Sequence, residues 1–315
     1  MILLLGATGY IGHAFQTELT RRGQRFVALS RSEVDYTKFQ SLYDYLKSSR
    51  PDFIVNAAGY TGKPNVDACE AAKADTLQGN TLFPQVLAHA CAALDIPFGH
   101  VSSGCIFAGA WIDYGNGWVV EKDMTKPEFV AIAKHSPEKI RGFDETMTPN
   151  FSFRDEPCSF YSGTKALGEE AIKDVGQNFI WRLRIPFDEF DNPRNYLSKI
   201  QRYAKVYNNF NSLSHRGDFV NACLDCWFQK VPFGTYNVTN PGYVSTADVS
   251  EMIKEILKPE REFEFWKSDA EFYTTGAVTA RSNCIMDSSK LINVGIIIRP
   301  VIAALQTSLN NWKSE

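Results

Sequence analysis

The stretch Leu3–Gly12, LLLGATGYIG, ends an aliphatic run in a turn that carries Gly6, Gly9 and Gly12 at every third position. MILLLG reads as a short buried strand and IGHAFQTELTRRG as the helix after it. Three glycines alone are a weak signal, but between a strand and a helix each has a task. Gly6 permits the tight turn, Gly9 lets backbone approach a pyrophosphate, and Gly12 lets helix and strand pack closely. The helix N-terminus then turns free N–H groups toward the phosphates. The turn predicts a dinucleotide site that also includes Thr8, Tyr10 and Ile11.

Outward from this turn, short apolar runs alternate with longer amphipathic ones up to about Ile185. RFVALS, PDFIVNAAG, IPFGHVSS and NFIWRLRI read as strands; KFQSLYDYLKSS, TLFPQVLAHACAALD and YSGTKALGEEAIKDV read as helices. Repeated strand–helix units predict an α/β fold, a Rossmann-type doubly wound parallel sheet buried on both faces. The rhythm changes after Pro186, where NPRNYLSKIQRYAKVYNNF is aromatic and basic. The expected organisation is a dinucleotide-binding domain over residues 1–185, with 216–240 returning to it. A smaller mixed α/β region over 186–315 is expected mainly to bind substrate. Ser245 with Asp248 three residues on forms a capping-box start for a late helix. The long segment 109–143 reads equally as a lid or interface element and as a tolerated surface insertion; its prolines weaken a helix over KPEFVAIAKHSPEKI.

With 315 residues, 44% hydrophobic and 22% charged, the composition is that of an ordinary globular chain. A net charge of −3 gives no electrostatic reason to bind nucleic acid or membrane. Seven scattered cysteines suit a reducing compartment better than a disulfide framework. MILLL lacks the basic flank and apolar length of a signal segment, and no stretch approaches a membrane span. A cytoplasmic protein is expected.

The second strand ends at VALSRS, where an acidic residue would bond an adenosine ribose and exclude a 2'-phosphate. Ser30 and Arg31 stand there instead, a hydroxyl and a cation suited to that phosphate. NADP(H) is therefore preferred and NAD(H) remains the alternative, with Asp35 a further adenine or ribose contact. Asn56, Ala57, Ala58 and Gly59 follow the next buried run, where small residues let a cofactor lie against backbone.

VSSGCIFAG places Ser103 and Cys105 at the end of a buried strand, and YSGTK places Tyr161 and Lys165 four apart on one helix face. A tyrosine with an ordinary pKa of about 10 donates protons poorly near neutrality. A neighbouring ammonium stabilises its phenolate, so the pair can serve as acid or base at a carbonyl centre. Y-x-x-x-K alone is common; with the glycine turn and a serine at the strand end, an ordinary helix face becomes improbable.

These motifs resemble those of an extended short-chain dehydrogenase/reductase. GYTGKPNVDACE, SSGCIF, FYSGTKALGEE, RLRIP, NPRNYLSKI, YNVTNPG and ARSNCIMDSSKL are similar to segments of nucleotide-rhamnose synthase/epimerase-reductases and dTDP-4-dehydrorhamnose reductases. The resemblance covers nearly the whole chain and implies NADPH-dependent work on a nucleotide-linked 4-keto-6-deoxyhexose. It implies that Ser103 bonds the C4 carbonyl, that Tyr161 supplies the proton, and that Lys165 binds the nicotinamide ribose and tunes Tyr161. In bifunctional relatives a cysteine stands at the Cys105 position, and a lysine mapping onto Lys199 is its partner acid. Protons at C3 and C5 are acidified by the C4 ketone, so a thiolate and an ammonium can invert those centres. A neutral buried cysteine is the alternative. Thr61, Arg194, Asn195 and Arg281 are the expected substrate contacts, Arg281 toward the nucleotide diphosphate. A homodimer is left open.

Cys223 and Cys226 form C-x-x-C inside a buried helix, FVNACLDCWF, and are expected in the core; no metal site is expected. Besides the epimerase-reductase, two functions remain in view. One is a 4-keto reductase on another nucleotide deoxysugar without epimerase activity; the other is a non-catalytic NADP(H)-binding regulatory subunit. A 4-epimerase or 4,6-dehydratase is weaker, since Gly104 stands where a dehydratase carboxylate belongs.

Overall fold

The aliphatic run before the glycine turn forms the strand next to one edge of a six-stranded sheet. The computed structural model describes residues 1–313. The chain alternates β1 (Ile2–Leu5), α1 (Tyr10–Arg21), β2 (Phe26–Leu29), α2 (Phe39–Ser49), β3 (Phe53–Asn56), α3 (Phe83–Ala92), β4 (Phe98–Ser103), α4 (Phe160–Ile172), β5 (Asn178–Leu183), α5 (Arg216–Phe228) and β6 (Gly234–Asn237). The sheet order is β6-β5-β4-β3-β1-β2, and β2, β1, β3 and β4 pair in parallel. β1 and β3 are buried at every position, as strands covered on both faces must be. This is the Rossmann-like doubly wound arrangement expected from the alternating pattern. The chain order turns about β1, so the carboxyl ends of β1 and β3 mark the switch point where such sheets bind ligands.

Contacts divide the chain into two compact units. The first comprises Met1–Ile106, Phe151–Arg182 and Val220–Tyr236; the second comprises Phe107–Asn150, Leu183–Phe219 and the residues from Asn237 onward. The first unit's core gathers Leu3, Leu5, Ile54, Leu87, Phe98 and Ile180. Cys223 and Cys226 are buried in α5, and burial pushes the Cys226 thiol up to about 12. Both therefore behave as small buried apolar residues.

Two hydrophobic clusters stand out among the described residues of the second unit. One collects Phe187, Leu197, Ile200, Val249, Ile253 and Leu305. The other holds Ala110, Ile112, Phe129, Phe210 and Ile285. The segment 109–143 supplies three strands, Ala110–Asp113, Trp118–Glu121 and Ile140–Arg141, paired antiparallel. Its helix spans Pro127–His135. Pro127 sits in the first turn, where a missing N–H costs nothing, and the helix stops before Pro137. The same residues that weaken a helix over the whole KPEFVAIAKHSPEKI stretch delimit a shorter one. Gly109 and Phe143 stitch the segment to the chain around 283–287 through backbone bonds in both directions. The capping box forms as expected: Ser245 accepts from the Asp248 N–H, and Asp248 accepts from Ser245. Among the described residues no helix is long and apolar enough to cross a membrane.

Candidate active site

The glycine turn closes on the next strand. Gly6 has φ +75°, and a Cβ there would lie 2.4 Å from the Ala58 nitrogen, so the ends of β1 and β3 meet at a distance only glycine allows. A Cβ on Gly12 would lie 2.0 Å from the Gly6 oxygen, which seats α1 directly on the turn. Gly9 caps α1 without a side chain, and the first turn holds no acidic residue. Its N-terminal amides and partial positive charge are thus offered outward. Thr8 and Gly9 are exposed, and Tyr10 and Ile11 half-buried. Tyr36, which sequence reasoning passed over, hydrogen-bonds the Gly6 backbone through its hydroxyl, and its ring centre lies 5.2 Å from that of Phe83 at a tilt of 37°.

Asn56 braces the second loop. Its Oδ1 accepts the Ala58 N–H at 3.0 Å, and its amide donates to His100 Nδ1 at 3.0 Å. Burial first, and the Lys165 charge second, hold His100 well below the usual imidazole range, so it is neutral and can accept that bond. Ala57 and Ala58 are half-buried and Gly59 exposed. A Cβ on Gly59 would lie 3.4 Å from Lys165 Nζ and 3.2 Å from Asn80 Oδ1. Asn80 accepts the Tyr60 N–H at 2.9 Å and donates to the Tyr60 oxygen at 2.9 Å and to Thr164 Oγ1 at 3.3 Å. It ties this loop to α4.

Ser159 caps α4 by accepting the Ser162 N–H. Tyr161 and Lys165 follow on one face, both buried. Lys165 Nζ donates to the Val101 oxygen at 3.3 Å, pinning the helix to β4 two residues before Ser103. Ser103 is buried, and its Oγ accepts the Cys105 N–H at 3.2 Å. Burial lowers Lys165 to about 8, against the opposing influence of Glu169 and Cys105. Strand alternation sends Ser102 to the other face, where its Oγ lies 2.5 Å from Glu169 Oε1. Arg182 holds Glu169 through Nε at 3.0 Å and Nη2 at 2.8 Å. This Ser102–Glu169–Arg182 network was not anticipated. Its only trace in the sequence is the acidic residue four positions after Lys165.

The turn after β2 is more occupied than expected. Ser30 gives its N–H and hydroxyl to Glu33, while Arg31 is exposed. Asp35 accepts from Thr37 Oγ1 at 2.6 Å and pairs with Lys38 at 3.2 Å. Thr61 is exposed.

In the second unit Asn195 is fully buried. It caps the helix Tyr196–Arg202 by accepting the Leu197 N–H, and its amide donates to the Asp188 and Phe190 oxygens. Its polar atoms thus hold the segment that carries Arg194 and Lys199. Lys199 is half-buried, and burial followed by the Arg194 charge lowers it from the usual lysine range. Arg194 and Arg281 are both half-buried, and the Arg281 N–H donates to the Tyr273 hydroxyl at 3.2 Å.

The chain is 32% identical over 290 residues to a trifunctional UDP-glucose 4,6-dehydratase/UDP-4-keto-6-deoxy-D-glucose 3,5-epimerase/UDP-4-keto-L-rhamnose-reductase of Arabidopsis thaliana. The match covers 92% of this chain but spans only 38% of that relative. It is 31% identical over 290 residues to a bifunctional dTDP-4-dehydrorhamnose 3,5-epimerase/dTDP-4-dehydrorhamnose reductase of the same plant, over 92% of this chain and 85% of the relative. In fold it is similar to the crystal structure of a UDP-rhamnose synthase from Acanthamoeba polyphaga mimivirus, with a TM-score of 0.81, 23% identity and 98% of each chain covered. A family model described as the RmlD substrate binding domain matches residues 1–313. The chain belongs to the RmlD substrate-binding-domain family.

Proposed function

We propose that the protein is an NADPH-dependent reductase of a nucleotide-linked 4-keto-6-deoxyhexose that also epimerises C3 and C5, producing a rhamnose-type nucleotide sugar. The observation that carries this reading is the Lys165–Val101 bond, which draws the YSGTK helix to the strand end bearing Ser103 and Cys105. The glycine turn suits a dinucleotide, since exposed Gly9 leaves the N-terminus of α1 open and no acidic residue stands in its first turn. Bound there, the nicotinamide supplies the hydride.

The chain's own groups do the rest. Amides of α1 and the Gly6–Gly12 turn hold the pyrophosphate, and Ser30 and Arg31 select the adenosine end. Asn56, Ala57, Ala58 and Gly59 form the floor, and the Lys165 ammonium below Gly59 takes the nicotinamide ribose. Ser103 donates to the C4 carbonyl. Tyr161 delivers the proton to the C4 oxygen, and Lys165 stabilises the phenolate that remains. In this reading Cys105 removes a proton beside the ketone and Lys199 returns one on the opposite face. The lowered pKa of Lys199 favours it, because an ammonium that releases its proton more readily is a better acid. Arg281 binds the diphosphate, Arg194 and Thr61 line the sugar, and Asn195 holds the Arg194–Lys199 segment in place. Residues 186–315 serve mainly the substrate and 1–185 mainly the cofactor. Relatives with these activities and the residue pattern support the reading together.

The test combines UDP- and dTDP-4-keto-6-deoxyglucose with NADPH and determines product stereochemistry. A 6-deoxy-L-manno product supports the full reading. In deuterated water without NADPH, label should enter C3 and C5; its absence removes the epimerase part, and absence of NADPH oxidation removes the reductase. A homodimer belongs to the same reading, and a monomer by light scattering at every concentration would remove it.

A further inference from the structure

At the end of β2, one carboxylate occupies the donors that a cofactor phosphate would use. Glu33 folds back over the turn and accepts two hydrogen bonds from one residue, from Ser30 N–H at 2.9 Å and Ser30 Oγ at 2.7 Å. Ser30 Oγ also lies 2.8 Å from Ser32 Oγ, so the three side chains form one small polar cluster. The hydroxyl and backbone N–H of Ser30 hold the Glu33 carboxyl below the usual carboxylate range, and it is anionic at neutral pH. Leu29 pairs with Leu5 across the sheet, which sets Ser30 beside Gly6, at the adenosine end of a dinucleotide lying on the glycine turn. The neighbouring charges are Arg31, exposed beside this cluster, and Asp35, which Thr37 and Lys38 hold.

We propose that Glu33 sets the choice between NADPH and NADH: its carboxylate competes with the adenosine 2'-phosphate for the Ser30 donors and the Arg31 cation, and accepts a hydrogen bond from a 2'-hydroxyl. The proposal rests on the reading that a nicotinamide dinucleotide binds at the Gly6–Gly12 turn. A 2'-phosphate must displace Glu33 from Ser30 and then tolerate a like charge nearby. A 2'-hydroxyl meets an acceptor already in place. Ser30 and Arg31 favour the phosphorylated cofactor and Glu33 opposes it, so one turn contains both preferences. The result is a protein that accepts both cofactors, with a preference narrower than Ser30 and Arg31 alone would impose.

Isothermal titration of the full chain with NADP+, NAD+, 2',5'-ADP and 5'-AMP tests this without requiring turnover. Glu33→Gln keeps an acceptor for Ser30 and removes only the charge. One unit charge a few ångströms away in water corresponds to about a five- to tenfold change in affinity. The variant should bind NADP+ and 2',5'-ADP tighter by about that factor, while 5'-AMP changes by less than about twofold. Arg31→Ala should weaken NADP+ and 2',5'-ADP and spare NAD+. An unchanged ratio of NADP+ to NAD+ affinity in Glu33→Gln overturns the proposal. Failure of the unaltered protein to bind either dinucleotide overturns the site reading beneath it, a result separate from an unchanged ratio.

Discussion

Lys165 and Lys199 are both lysines whose ammonium is destabilised by burial, yet their surroundings differ. Lys165 lies in the first unit with its Nζ on the Val101 oxygen and the Glu169 carboxylate one helical turn on, which partly offsets the cost of burial. Lys199 lies in the second unit beside Arg194, and that like charge adds to burial instead of opposing it. Both ammoniums are lowered, Lys165 to about 8, but the neighbouring charge opposes burial at Lys165 and reinforces it at Lys199. In the proposed mechanism Lys165 has a fixed electrostatic task and Lys199 a proton-transfer task, and the sign of the nearest charge differs between them.

Several measurements would break or sharpen that contrast. Lys165→Met should lower NADPH oxidation by about 10²- to 10⁴-fold, the usual contribution of positioned acid–base groups, and Tyr161→Phe should do the same. If Lys165→Met retains more than a tenth of the activity, the assignment of a fixed charge to Lys165 fails. Lys199→Met and Cys105→Ala should each abolish solvent deuterium incorporation at C3 and C5. Reduction of a pre-epimerised sugar should fall by less than about tenfold in both, since only proton transfer is removed. Equal loss of exchange and reduction would erase the distinction between the two lysines.

The Glu169 contribution can be read from pH. Lys165 is protonated below about 8, so activity that depends on its ammonium is present below that pH and is lost as pH rises through it. Glu169→Gln removes the influence that raises the Lys165 value, so the alkaline limb of kcat/KM should move to lower pH. The same substitution leaves Arg182 buried without its carboxylate, at a cost of about 3–5 kcal/mol, and chemical denaturation should show it. A destabilised variant with an unmoved limb would mean that the network supports the fold alone. The smallest effect is expected at Ser245→Ala, which removes the cap of the helix Thr246–Leu257 in the second unit and costs about 1 kcal/mol. Its pH–rate profile should coincide with that of the unaltered protein.

Local motifs were the most legible part of the chain. The spacing of Gly6, Gly9 and Gly12, the Tyr161–Lys165 helix face and the Ser245–Asp248 capping box each depend on residues within a few positions of one another. Their geometry follows from short-range sterics and hydrogen bonding. The segment 109–143 was harder to read, because its strands are short and its core forms with Phe210 and Ile285. Asn195 illustrates another limit: its motif suggested a substrate contact, while its buried amide is spent on Asp188 and Phe190.

The pattern of glycines and alternating apolar runs was sufficient to specify a doubly wound sheet with a glycine turn between its first strand and first helix. Both follow from local chain conformation and from burying apolar strand faces. The side-chain contacts around that turn were decided only by tertiary structure. Ser102 meets Glu169 across 67 residues of chain, Asn56 meets His100 across 44, and Glu33 reaches Ser30 only because the turn folds back. Burial and the Lys165 charge hold His100 neutral, burial lowers Lys165, and neither influence exists until the chain has folded.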